Sequence, residues 1–165
     1  MSNHRIPGLL AGAGVAALGF AIALWLRTGM TQAPAAPAGA DVEYLTPFGQ
    51  PTRPFSPAVR VGDVIFLSGQ IGTDASANGA LVPGGIEAET RQTLQNIKRT
   101  VEAVGSSMDK VVKCTVMMAD MAEWDRMNVV YREFFPAGRL PARSAFGASG
   151  LALGARVEIE CIATR

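Results

Sequence analysis

At 165 residues and 17.3 kDa the chain has room for one ordinary domain and an appendage. Its 15 Lys and Arg against 14 Asp and Glu leave a formal charge of +1, which excludes nucleic acid as an obligatory partner, because such binding rests on neutralising phosphates. His4 is the only histidine, and Cys114 and Cys161 sit in no CxxC or ligand spacing, so neither a metal, a cofactor nor a Cys/His nucleophile is expected.

Ile6 to Leu26 runs twenty-one residues without a charge, between His4-Arg5 and Arg27. A spanning helix needs about twenty mainly apolar residues, and a cleaved signal an apolar core of about seven to fifteen. Residues 1–27 therefore read as a transmembrane signal-anchor or uncleaved signal; Ala38-Gly39-Ala40 offers an A-x-A cleavage site, but far from the apolar run. This predicts a membrane-anchored protein whose domain lies outside the cytoplasm. Arg5 and Arg27 compete under the positive-inside rule, so a cytoplasm-facing domain is the alternative. Residues 28–43, mostly Ala, Pro and Gly, form a linker, since repeated prolines cannot continue a helix. The domain takes residues 44–165.

From Tyr44 to Pro57 proline or glycine interrupts every few residues, leaving an edge strand at best and then a loop. Ala58–Val61 and Val64–Leu67 flank Gly62-Asp63, which is hairpin chemistry. Gly69 closes the second strand, either as a bulge or as a point of close approach for a backbone or ligand. Residues 72–85 read as a polar loop. Ile86, Leu94, Ile97, Val101 and Val104 then recur at helical spacing, with Gly105 as the C-cap. Val111–Met118 is a strand by its β-branched content. Trp124, Met127, Tyr131 and Phe134 form a core stripe on a helix from about Ala122 to Phe135, stopped by Pro136 and Gly138. Asn128 lies beside that stripe, where a polar side chain faces either solvent or an interface, and solvent is the expectation. Cys114 and Cys161 fall in apolar strand patterns and are expected as two buried small side chains.

Two strands close the chain, Pro141–Gly147 and Arg156–Ala163. Alternation puts Arg143, Ala145 and Gly147 on one face of the first, and Glu158 and Glu160 opposite Val157, Ile159 and Cys161 on the second. A guanidinium near a carboxylate suits a site that holds a small anion and manages a proton or water beside it; a structural ion pair is the plainer account of the same charges. The element order predicts an α+β domain, one mixed sheet with two helices on one face. The other face carries consecutive apolar residues, Val64–Leu67 and Val116–Met118, which points to a homo-oligomer with sheet facing sheet.

Ser68-Gly69-Gln70-Ile71, Thr90-Arg91-Gln92-Thr93-Leu94-Gln95-Asn96-Ile97, Lys110-Val111-Val112-Lys113-Cys114-Thr115-Val116, Asn128-Val129-Val130-Tyr131-Arg132-Glu133-Phe134-Phe135, Pro141-Ala142-Arg143-Ser144 and Val157-Glu158-Ile159-Glu160 closely resemble the RidA/YjgF family of imine deaminases. The resemblance runs from about Tyr44 to Ala163. It implies a chorismate-mutase-like fold, a homotrimeric barrel, and clefts between subunits that hydrolyse 2-imino or 2-enamino acids to 2-oxo acids and ammonia. Arg143 matches the arginine that binds the substrate carboxylate, and Glu158 the glutamate proposed to help position water. Gly69 and the backbone of Ala145 would line the pocket, with Asn128 near it. Two positions depart from the family pattern: Phe55 stands where many members carry tyrosine, and Ala145 where many carry cysteine or threonine. A non-catalytic, carboxylate-binding or chaperone-like trimer is the alternative. A ribonuclease role, attached to some members, ranks third because no basic groove is evident.

Overall fold

Short β-rich runs separated by turns pair into a seven-stranded sheet in the computed structural model, which describes residues 39, 41–50 and 52–165. β1 (Val42–Leu45), β2 (Ala58–Val61) and β3 (Val64–Leu67) form an antiparallel meander, with the mostly exposed β1 at the edge and the proline-rich loop after it. β4 (Gln70–Ile71) continues the chain and pairs with the last strand. β5 (Thr73–Asp74) and β6 (Ala80–Leu81) make a separate hairpin within the expected loop, around a turn where Asp74 accepts from the Ser76 amide at 2.8 Å. Two-residue strands are too short to leave a periodic signal.

Helix α1 (Gly85–Ala103) buries Ile86, Leu94, Ile97 and Val101 together with Thr90 and Thr93. Its end is a Schellman motif: Gly105, at φ 88°, donates to Glu102 O, and Ser106 donates to Val101 O at 3.0 Å. β7 (Val111–Met118) follows, then α2 (Trp124–Arg132). The second helix stops short of the expected Phe135 because Glu133 and Phe134 donate to Val130 O and Tyr131 O, i to i−3 bonds that tighten the last turn ahead of Pro136.

β8 (Ala142–Gly147) runs parallel to β7, and β9 (Val157–Thr164) runs antiparallel to both β7 and β3, giving the order β1-β2-β3-β9-β7-β8. β8 and β9 are consecutive in sequence yet separated by β7. Both helices contribute to one core with Ile65, Val116, Met118, Val157 and Ile159. The opposite face exposes Phe66 (46%) and Phe146 (49%), with Met117 and Ile162 half-buried beside them.

Two expectations are corrected. Cys114 and Cys161 are not separate small side chains: they stand directly opposite each other on β7 and β9, on the same face, and form a disulfide. Membrane anchoring is also corrected. No helix among the described residues is long and apolar enough to cross a membrane; the 19-residue α1 carries Glu87, Glu89, Arg91, Lys98, Arg99 and Glu102, charges that hydrocarbon excludes. The run Ile6 to Leu26, which carried the expectation, lies outside the described residues, as does most of the linker.

Candidate functional site

The expected site residues other than Ala145 fall into two clefts on opposite faces of the sheet. Arg143 is opposite Cys114, whose side chain lies in the core beneath the helices, so Arg143 shares the helix-side face. Glu158 is opposite Met117, one position out of phase with the buried Val116 and Met118, and points to the other face. Two strand spacings and three residues separate their Cα atoms, about 14 Å within the sheet. One chain does not bring the pair together.

The Arg143 cleft is assembled by α2 against the edge strand β8 and has a volume of about 230 Å³. Trp124, Asn128 and Tyr131 recur at i, i+4 and i+7 on one face of α2 and reach over β8. The Arg143 guanidinium carbon lies 4.8 Å from the Trp124 ring centroid and 4.7 Å from that of Tyr131, both favourable cation–π contacts. Nη1 donates to Asn128 Oδ1 at 2.7 Å. Asn128 is 8% exposed, which corrects its expected solvent position: a buried amide needs a partner, and Arg143 supplies one. No acid within ion-pairing distance neutralises Arg143 among the described residues. Its remaining N–H groups are left for an anion arriving from outside.

Tyr131 is 3% exposed, and its hydroxyl has no hydrogen-bond partner. Burial pushes its pKa up to about 12, against the smaller opposing pull of Arg143. Trp124 and Tyr131 were legible only as core; their relation to Arg143 depends on β8 lying beside α2. Ala145 also shares that face but packs against the core, and does not line the Arg143 cleft.

The Glu158 cleft, about 380 Å³, combines Phe55, Gly69, Ile71, Leu153 and Arg53 around the carboxylate. β9 is held at its start by Glu89, a buried carboxylate on α1 whose Oε2 accepts from the Arg156 amide at 2.8 Å. The Arg156 side chain also donates to Glu123 at 2.9 Å. Gly69 is a close-approach glycine, but its visitor is neither backbone nor ligand: a Cβ there would overlap Glu158 Oε1. Absence of a side chain at 69 thus gives the carboxyl group its position. Glu158 forms no hydrogen bond or ion pair among the described residues. Phe55 is exposed on the cleft wall and offers a ring without a hydroxyl.

The sequence profile of the endoribonuclease L-PSP family matches residues 48–165. The 2-iminobutanoate/2-iminopropanoate deaminase of Mus musculus is 45% identical over 112 residues, 68% of this chain and 82% of the relative. Reactive Intermediate Deaminase A, chloroplastic, of Arabidopsis thaliana is 40% identical over 67% of this chain and 58% of its own. Among solved structures, the Rid-family protein YyfA from Yersinia pestis superposes with a TM-score of 0.70 at 33% identity, covering 76% of this chain and all of that one. These relatives are named for deamination or for the Rid family. The α+β sheet with two helices matches their fold, and the chain belongs to the endoribonuclease L-PSP family, that of the RidA and YjgF proteins.

Proposed function

We propose that residues 44–165 hydrolyse reactive 2-imino and 2-enamino acids to 2-oxo acids and ammonia, as a homotrimer whose sites join the Arg143 cleft of one copy to the Glu158 cleft of the next. The observation that carries this reading is the Arg143 guanidinium, fixed by two rings and Asn128 with no acid paired to it among the described residues. Two parallel N–H bonds to a planar carboxylate fix a substrate's orientation, which a lysine point charge would not do. The deaminase names of relatives at 40–45% identity support the chemistry.

The substrate imine is already electrophilic, so orientation and a positioned water suffice. Glu158 accepts a proton from water as the water oxygen bonds to the imine carbon, and returns that proton to the imine nitrogen, giving a carbinolamine. The hydroxyl proton then passes through Glu158 to the amine as the C–N bond breaks, so ammonia leaves, the 2-oxo acid remains and the carboxylate is restored. The exposed apolar face with Phe66 and Phe146 supports association of copies, and the separation of Arg143 from Glu158 calls for it. Phe55 supplies the cleft wall; the hydroxyl of a tyrosine there is worth about 1 kcal/mol as a net hydrogen bond. Ala145 contributes backbone beside Arg143.

The test supplies purified protein to an enzymatic source of 2-aminoacrylate and follows pyruvate. Wild type accelerates release and Arg143→Ala loses the acceleration. Equal rates for wild type, variant and buffer refute the deaminase; carboxylate binding without turnover favours the non-catalytic trimer.

A further inference from the structure

Each cleft carries a further arginine that no acid holds among the described residues. Arg53 lines the Glu158 cleft and Arg132 the Arg143 cleft, and both are exposed. Other arginines of the described residues are engaged: Arg60 with Glu43, Arg91 with Glu133, Arg126 with Glu87, and Arg156 with Glu123. Arg99 lies over the Phe48 ring at 4.5 Å. Arg139 and Arg165 line neither cleft.

Joining the two clefts therefore sets three guanidinium groups, Arg143, Arg132 and Arg53, against one acid, Glu158. A substrate with one carboxylate, held by Arg143, leaves two cations facing a single anion. A second carboxylate on the substrate offsets that excess, and complementary charge is what separates one small anion from another at similar size. Phe55 and Leu153 line the cleft that Arg53 shares with Glu158, giving apolar walls for the methylenes of such a side chain. We infer that this site prefers 2-imino acids bearing a second carboxylate, the imines of dicarboxylic amino acids, with Arg53 as a specificity residue and Arg132 adding to the same field. The inference rests on the reading that Arg143 and Glu158 form one deaminase site.

An amino-acid oxidase generates the imine of aspartate or of 2-aminobutyrate in the presence of the full chain, and kcat/KM is measured for each by 2-oxo acid release. The wild-type ratio, aspartate imine over 2-aminobutyrate imine, is expected above one. It should fall about tenfold in Arg53→Gln and further in the Arg53→Gln/Arg132→Gln pair, while Arg53→Lys retains part of it, as expected for a solvent-facing charge-assisted contact. A wild-type ratio below one, or a fall of less than about threefold in the double variant, overturns the inference while leaving the deaminase standing. Release of neither 2-oxo acid above the buffer rate removes the deaminase reading itself.

Discussion

The Arg143 and Glu158 clefts differ in how their key charges are held. Arg143 is gripped from a helix, by Trp124, Tyr131 and the buried Asn128, so its direction is set before any ligand arrives. Glu158 has no partner among the described residues; what defines its place is an absence, the missing side chain of Gly69, and walls contributed by loops. A preorganised cation recognises, whereas a less restrained carboxylate is free to exchange protons with water. Phe55 and Arg53 both belong to the Glu158 side, whereas Ala145, the other departure from the family pattern, packs against the core on the face of Arg143.

That contrast separates the effects of substitution on kcat and KM. Glu158→Gln keeps shape but removes the base, and should lower kcat by about 10³-fold with little change in KM. Arg143→Ala should instead raise KM by about 10²-fold, since it removes binding that begins in the ground state; a change in kcat alone would break the division of labour. Steady-state kinetics over a wide substrate range reads both. Gly69→Ala should displace the Glu158 carboxyl by side-chain rotation and lower kcat by about tenfold, with thermal stability nearly unchanged. An unaltered kcat would mean that Gly69 does not set the acid's position.

The smallest expected effect lies beneath the Arg143 cleft. Tyr131→Phe keeps the ring under the guanidinium and removes a buried hydroxyl without a partner, so stability at neutral pH should be unchanged or rise by about 1 kcal/mol. The pH dependence supplies a second readout. Because burial raises the folded pKa of Tyr131 to about 12, above the ordinary value of 10, the folded form binds the proton more tightly. The stabilisation is complete below pH 10 and is lost as pH rises from 10 through 12. Denaturant unfolding across that window should fall less steeply in Tyr131→Phe; identical slopes would contradict the buried, neutral phenol.

Local pattern carried much of the domain. The 3.6-residue recurrence from Ile86 to Val101 and Gly105 after it specified α1 and its Schellman end, and Gly62-Asp63 specified the β2–β3 turn. Alternation also sorted Arg143 with Ala145, and Glu158 away from Val157 and Ile159. It could not say that those two faces lie on opposite sides of one sheet, because that depends on β7 entering between β8 and β9. An equal offset of Arg143 and Glu158 about the Gly150–Leu151 turn would put them opposite each other in a simple hairpin, but the strands do not pair. The Cys114–Cys161 bridge and the burial of Asn128 were hidden for the same reason: each depends on a neighbour brought by non-local register rather than by sequence spacing.

Subunit mixing tests the joining of the two clefts most directly. Arg143→Ala and Glu158→Gln chains, each nearly inactive alone at substrate well below the wild-type KM, are co-expressed in equal amounts and assayed as mixed oligomers under that condition. If each site takes Arg143 from one copy and Glu158 from the next, random assembly leaves about a quarter of the sites intact, so roughly a quarter of wild-type activity should return. Mixed oligomers as inactive as either variant alone would contradict a site shared between chains.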